Sequence, residues 1–170
     1  MKFFKSYHTP VLAFLSLCVI GGYSMVFSGA PKCSVSKTAC PKAETRSYVI
    51  NGVRYYPQKH IEYTKVGIAS YYGVRDGFHG KKTATGEIFN AYGMTAAHKT
   101  LPLPCLVSVT NLSNGKSVVL KVNDRGPFHG KRIIDVSEGA AQALGFHKKG
   151  ITKVRVEALV EETVQLQTTS

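Results

Sequence analysis

A chain of 170 residues, 44% hydrophobic and 19% charged, is long enough for one packed domain and too apolar for wholesale disorder. Its formal net charge of +12 favours polyanionic partners. There is no zinc-finger spacing and no aromatic RNA-binding motif, so cell-wall polymers and membrane headgroups stand ahead of nucleic acid. The wealth of glycine, tyrosine and phenylalanine leans toward a turn-rich β protein.

Residues 1–30 read as a signal peptide or N-terminal anchor. Lys2 and Lys5 form a basic start, and Val11 to Ile20 is an uncharged run of signal-peptide length, too short to span a bilayer alone. Small residues at Ser28 and Ala30, or at Gly22 and Ser24, offer cleavage points, though Pro31 fits poorly behind the first. The expectation is an exported protein of the periplasm or envelope, with membrane anchoring through the N-terminus open and oligomeric state undetermined. Cys18 follows Leu17 and Cys33 follows Lys32, so neither has the small residue that precedes a lipidated cysteine. Cys33 and Cys40 either pair in an oxidising compartment or remain thiols. Cys105 stands by itself between Pro104 and a strand.

Residues 31–65 read as a linker with a short hairpin, in which Asn51-Gly52 joins Tyr48–Ile50 to Val53–Tyr56 before Pro57. Residues 66–160 carry the folded domain. Val66–Tyr72, Leu106–Asn111, Ser117–Asn123, Arg132–Val136 and Thr152–Val160 alternate as half-buried strands do. Ser137 caps a helix whose packing side is Ala140, Ala141, Ala143 and Leu144, and Gly145 stops it. A second short helix is expected from Thr95 to Leu101 at most, since Pro102 follows. Residues 161–170 lack a closing apolar pattern and are expected to fray. Short strands with one or two short helices predict a mainly β protein, a small β-barrel. Phe78-His79-Gly80-Lys81-Lys82 is echoed by Phe128-His129-Gly130-Lys131-Arg132, which suggests two similar halves.

Reactive side chains gather in three glycine-bearing or small-residue segments: Thr83–Asn90, Met94–Pro102 and Val122–Phe128. Asp124 ends an apolar strand before an Arg-Gly-Pro turn. It is either a tuned acid or a turn cap accepting backbone N–H bonds. Glu87 is either a second carboxylate or an exposed loop residue, and His98 either a hydrogen-bond donor to carboxylate or sugar, or a structural histidine. The six histidines are scattered without metal-site spacing, and no phosphate loop or Gly-x-Ser-x-Gly turn is present, so no metal or cofactor is expected.

From Gly67-Ile68-Ala69-Ser70-Tyr71-Tyr72-Gly73 through Phe78-His79-Gly80, Thr83-Ala84-Thr85-Gly86-Glu87, Thr95-Ala96-Ala97-His98-Lys99-Thr100-Leu101-Pro102, Val109–Gly115, Asn123-Asp124-Arg125-Gly126-Pro127-Phe128 and Arg132–Ser137, the chain resembles the RlpA family of peptidoglycan lytic transglycosylases. The resemblance implies a six-stranded double-psi β-barrel. It also implies cleavage between N-acetylmuramic acid and N-acetylglucosamine, leaving 1,6-anhydro ends, on strands preferably stripped of stem peptides. It points to Asp124, Glu87 and His98 as catalytic. Tyr71, Tyr72, Phe78, Asn90, Asn123 and Arg125 are the expected glycan contacts. Two departures stand out: Asn90 replaces an aspartate common in relatives, and residues 161–170 are not expected to belong to a SPOR domain. The rival expectation is an expansin-like protein that binds peptidoglycan without cutting it, through aromatic faces at Tyr71, Tyr72, Phe78 and Phe89.

Overall fold

The computed structural model describes residues 46–58 and 62–169. The export signal, its cleavage points and Cys33 and Cys40 lie outside the described residues. Strands β1 (Tyr48–Ile50) and β2 (Val53–Tyr55) form the expected hairpin. Asn51 and Gly52 both take positive φ, 49° and 76°, as a turn matched to strand twist requires.

Six further strands close a barrel: β3 (Thr64–Tyr72), β4 (Thr95–Ala97), β5 (Cys105–Asn111), β6 (Ser117–Asp124), β7 (Arg132–Ser137) and β8 (Thr152–Leu159). Their order around the barrel is β3-β7-β4-β6-β5-β8. Period-two patterning builds its core. Val107 and Val109 of β5, Leu120 and Val122 of β6, Ile134 and Val136 of β7, and Val154 and Val156 of β8 are all fully buried. Cys105 is buried with them.

The two echoed segments explain the chain crossing. The first follows β3 and leads to β4; the second follows β6 and leads to β7. β3 pairs in parallel with β7, and β6 in parallel with β4, so each loop carries the chain across to the partner of the other half's strand. Gly80 and Gly130 occupy equivalent left-handed positions, φ 82° and 64°. This is the double-psi arrangement.

Helix α1 (Glu138–Ala143) is capped as expected, the Ser137 hydroxyl accepting from Ala140 N–H at 3.2 Å. Two expectations are corrected. Thr95–Ala97 is strand β4 rather than a helix, because it is the hinge strand that pairs with both β6 and β7. The segment expected to fray forms most of helix α2 (Val160–Thr169), which docks by polar rather than apolar residues. Thr163 Oγ1 accepts from Leu106 N–H at 2.8 Å, and Gln167 Nε2 donates to Pro104 O at 2.6 Å.

Candidate active site

Strand β4 sets the site by its register. Ala96 lies between Val122 and Val136 and faces the core. The next residue faces the other side of the sheet. There Ala97 lies opposite Asp124 on one flank and Asp135 on the other, after a register shift between Ala96 and Ala97. The two aspartates are thus two strand spacings apart, roughly 10 Å between backbones, with only a methyl group between them. Both line a cleft of about 320 Å³, with Ala97 on its floor. Tyr71, Tyr72 and Phe78 form one wall, and Arg125, Phe128 and Arg132 approach from the other loop. The echoed segments therefore each contribute a phenylalanine to the cleft.

Asp124 Oδ1 accepts from the backbone N–H of Ala84 at 3.0 Å and of Arg125 at 2.8 Å. It caps the turn and lines the cleft at once. Burial raises its pKa, and the two backbone bonds and the Arg125 charge only partly oppose this.

Asp135, in strand β7, is not among the site residues expected from the sequence. Its Oδ2 meets Arg132 Nη2 at 3.3 Å, while its buried Oδ1 has no hydrogen-bond partner among the described residues. Burial raises its pKa despite Arg132 and Lys99. An available signal was its alternation with Ile134 and Val136. Aspartate is depleted in strands, and one placed between two core residues must face the other side of the sheet.

Tyr72 ends β3, the strand on the other side of β7 from β4, and lines the same cleft. Its ring stacks on Phe89 at 4.5 Å and meets Phe78 edge-on at 5.9 Å. Its buried Oη has no hydrogen-bond partner among the described residues. Burial, then the charges of Asp124 and Asp135, push its pKa upward, so the hydroxyl keeps its proton. Phe89 is 3% exposed and lies beneath Tyr72 rather than in the groove expected for it.

Glu87, Asn90, His98 and Asn123 are not among the residues that line the cleft. Glu87 Oε1 pairs with Lys121 Nζ at 2.6 Å, and its Oε2 accepts from Asn123 Nδ2 at 2.9 Å. Burial pulls the Glu87 pKa up, but the bonds from Lys121 and Asn123 outweigh it and hold the carboxyl below its ordinary value. Asn123, 2% exposed, thus ties Glu87 to the end of the strand that carries Asp124. Asn90 Oδ1 accepts from Tyr92 N–H at 3.0 Å and serves its own loop.

His98 is 4% exposed. Its Nδ1 accepts from the backbone N–H groups of Thr100 at 3.1 Å and Leu101 at 3.0 Å. The backbone N–H of His98 donates to the backbone O of Asp124 at 3.0 Å. Burial, with Arg125, Lys65 and Lys99, pushes its pKa down from 6.5 to about 3, so the ring is neutral with its proton on Nε2. The turn that His98 folds presents carbonyls to Arg125, whose Nη1 donates to Leu101 O at 2.6 Å and His98 O at 3.4 Å.

Residues 64–156 match a double-psi β-barrel family model described as lytic transglycolase. A protein of Rickettsia felis named endolytic peptidoglycan transglycosylase RlpA is 60% identical over 119 residues, covering 69% of this chain and 52% of its own. The protein of that name from Pseudomonas aeruginosa strain UCBPP-PA14 is 48% identical over 141 residues, 77% of this chain and 41% of its own. The chain thus spans about half or less of the length of these relatives. Among solved structures, the Streptomyces papain inhibitor is similar with TM-score 0.47 and 21% identity over 58% of this chain and 96% of that one. With a closed six-stranded double-psi barrel and a family match that covers its strands, the chain belongs to the RlpA-like lytic transglycolase family.

Proposed function

We propose that this protein cleaves peptidoglycan glycan strands between N-acetylmuramic acid and N-acetylglucosamine, leaving 1,6-anhydro ends. The observation that carries this reading is the pair of half-buried carboxylates, Asp124 and Asp135, flanking Ala97 in a cleft walled by aromatic rings. A lytic glycosidic cleavage needs one acid for the leaving oxygen and one base for the sugar's own 6-hydroxyl. Asp124 donates its proton to the leaving N-acetylglucosamine oxygen as the glycosidic bond breaks. The 6-hydroxyl of the muramic residue then bonds to the anomeric carbon, and its proton returns to Asp124. No water is consumed, and tethering of the nucleophile supplies much of the rate.

Asp135, ionised opposite, stabilises the positive charge that develops at the anomeric carbon. The Tyr72 hydroxyl donates to the sugar, and Tyr71 and Phe78 offer faces for its rings. Arg125 binds polar substituents of the glycan. Glu87 and His98 are positioning residues: Glu87 holds the Asn123–Asp124 strand end, and His98 folds the turn that holds Arg125. Strands lacking stem peptides are the preferred substrate in this reading, and export to the envelope brings protein and polymer together.

Purified protein incubated with intact and peptide-stripped peptidoglycan is expected to release anhydro-muramic products visible by mass spectrometry, more from the stripped polymer. Binding to both polymers with no anhydro product from either would refute catalysis in favour of an expansin-like binding role.

A further inference from the structure

The β1–β2 hairpin precedes the residues matched by the family, and nothing in the reading above uses it. Yet it is seated on the 98–101 turn and on the Arg125–Phe128 loop, and that loop lines the cleft. Tyr48 and Tyr55 are cross-strand partners, and their rings stack at 5.2 Å and 15°. Both turn toward Phe128, at 6.2 and 5.4 Å between centroids. The Arg125 guanidinium lies over the Tyr48 ring at 5.4 Å. Tyr48 Oη donates to Lys99 O at 2.6 Å, and just beyond the hairpin Gln58 N–H donates to Thr100 O at 2.6 Å. On the opposite face, which carries the Val49–Arg54 pair, Val49 is half exposed.

These contacts converge on a few residues. Lys99 and Thr100 belong to the turn folded by His98. Arg125 and Phe128 follow Asp124 directly and line the cleft. Arg125 and Phe128 lie in the loop that follows β6, outside the strand pairings of the barrel. Aromatic rings and hydrogen-bond donors from the hairpin and Gln58 back this loop and the neighbouring turn.

We propose that the β1–β2 hairpin is a positioning element of the active site, with Tyr48 and Tyr55 bracing the 98–101 turn and the Arg125–Phe128 loop against the cleft. The effect on turnover rests on the transglycosylase reading; the bracing itself does not. Tyr48 and Tyr55 touch no substrate. They act through Arg125 and Phe128, and a wall displaced by about 1 Å is enough to lower a rate by up to the order of 100-fold.

The test compares Tyr48→Ala, Tyr55→Ala and Tyr48→Phe in the full chain, with Val49→Ser as the control from the exposed face. Amide hydrogen exchange is followed residue by residue, alongside turnover of peptide-stripped peptidoglycan. The expected result is exchange about tenfold faster or more at Thr100, Leu101 and Arg125 in Tyr48→Ala, with β5 and β8 amides unchanged. Alongside it, kcat falls at least about tenfold with a smaller change in KM. Tyr48→Phe keeps the ring and loses only the Lys99 bond, so it recovers most of the rate; Val49→Ser behaves as wild type. Unchanged exchange in Tyr48→Ala would overturn the proposal, as would faster exchange throughout the barrel, which would make the hairpin part of the global fold. Local loosening without loss of turnover in an active enzyme would overturn the positioning role. If the wild-type protein releases no anhydro product, the exchange data still decide whether the hairpin braces the wall, and only the transglycosylase reading falls.

Discussion

His98 makes the stability of this protein depend on pH in a direction that can be worked out. An unfolded histidine titrates near 6.5, whereas His98 in the barrel titrates near 3. Below pH 6.5 the unfolded chain therefore takes up a proton that the folded chain refuses. Stability conferred by the neutral ring is fully present above about pH 6.5 and is lost as pH falls toward 3. From pH 8 to pH 5 the gap covers about 1.5 pH units, or about 2 kcal/mol. Asp124 and Asp135 act in the opposite sense. Their folded pKa values are raised, so they favour the folded state at low pH and lose that contribution as pH rises. The wild-type curve therefore mixes both. His98→Asn separates them, since the asparagine Oδ1 can still accept from Thr100 and Leu101 N–H but does not titrate. Urea unfolding at pH 8 and pH 5 is expected to show the wild type losing about 2 kcal/mol relative to the variant between the two. A wild-type-minus-variant difference equal at both pH values would refute the buried, neutral histidine.

Other outcomes follow from the cleft and its supports. Asp124→Asn and Asp135→Asn are each expected to lower release of anhydro products by on the order of 100-fold or more in folded protein, whereas Glu87→Gln costs roughly tenfold. Wild-type turnover in Asp135→Asn would remove it from the reaction. Ala97→Leu fills the floor between the two carboxylates and is expected to abolish glycan binding, measured by pull-down with insoluble peptidoglycan, while the thermal midpoint stays within a few degrees. Gly139→Ala places a methyl 2.5 Å from the backbone oxygen of Tyr92, which must move with its loop. Its expected cost, read by urea unfolding, is at the upper end of the overpacking range, about 3 kcal/mol.

What the sequence by itself determined was local. Asn51-Gly52 between β-formers specified the first hairpin, because few residues tolerate two successive positive φ angles. Alternation in 105–111 and 117–124 specified two strands and their buried faces, and Ser137 with the following alanines specified α1. The ordered motifs pointed to the family, and with it to a barrel that the alternation itself only suggested. Asp124 was legible as a carboxylate at a strand end.

Only the tertiary structure decided which reactive residues share a cleft. That depends on pairings between strands far apart in the chain, and on a single register shift at Ala97 that no local pattern records. The same pairings brought Asp135 beside the site and left Glu87, His98 and Asn90 off its lining, each occupied by partners of its own. They turned Thr95–Ala97 into a strand, since its two neighbours outweigh its short-range preference. They ordered helix α2 through Thr163 and Gln167, polar residues whose partners lie at the start of β5 and out of sight of any hydrophobic periodicity. And they set two tyrosines of an apparent linker against Arg125 and Phe128, contacts that span more than 70 residues of chain and exist only once the barrel has closed.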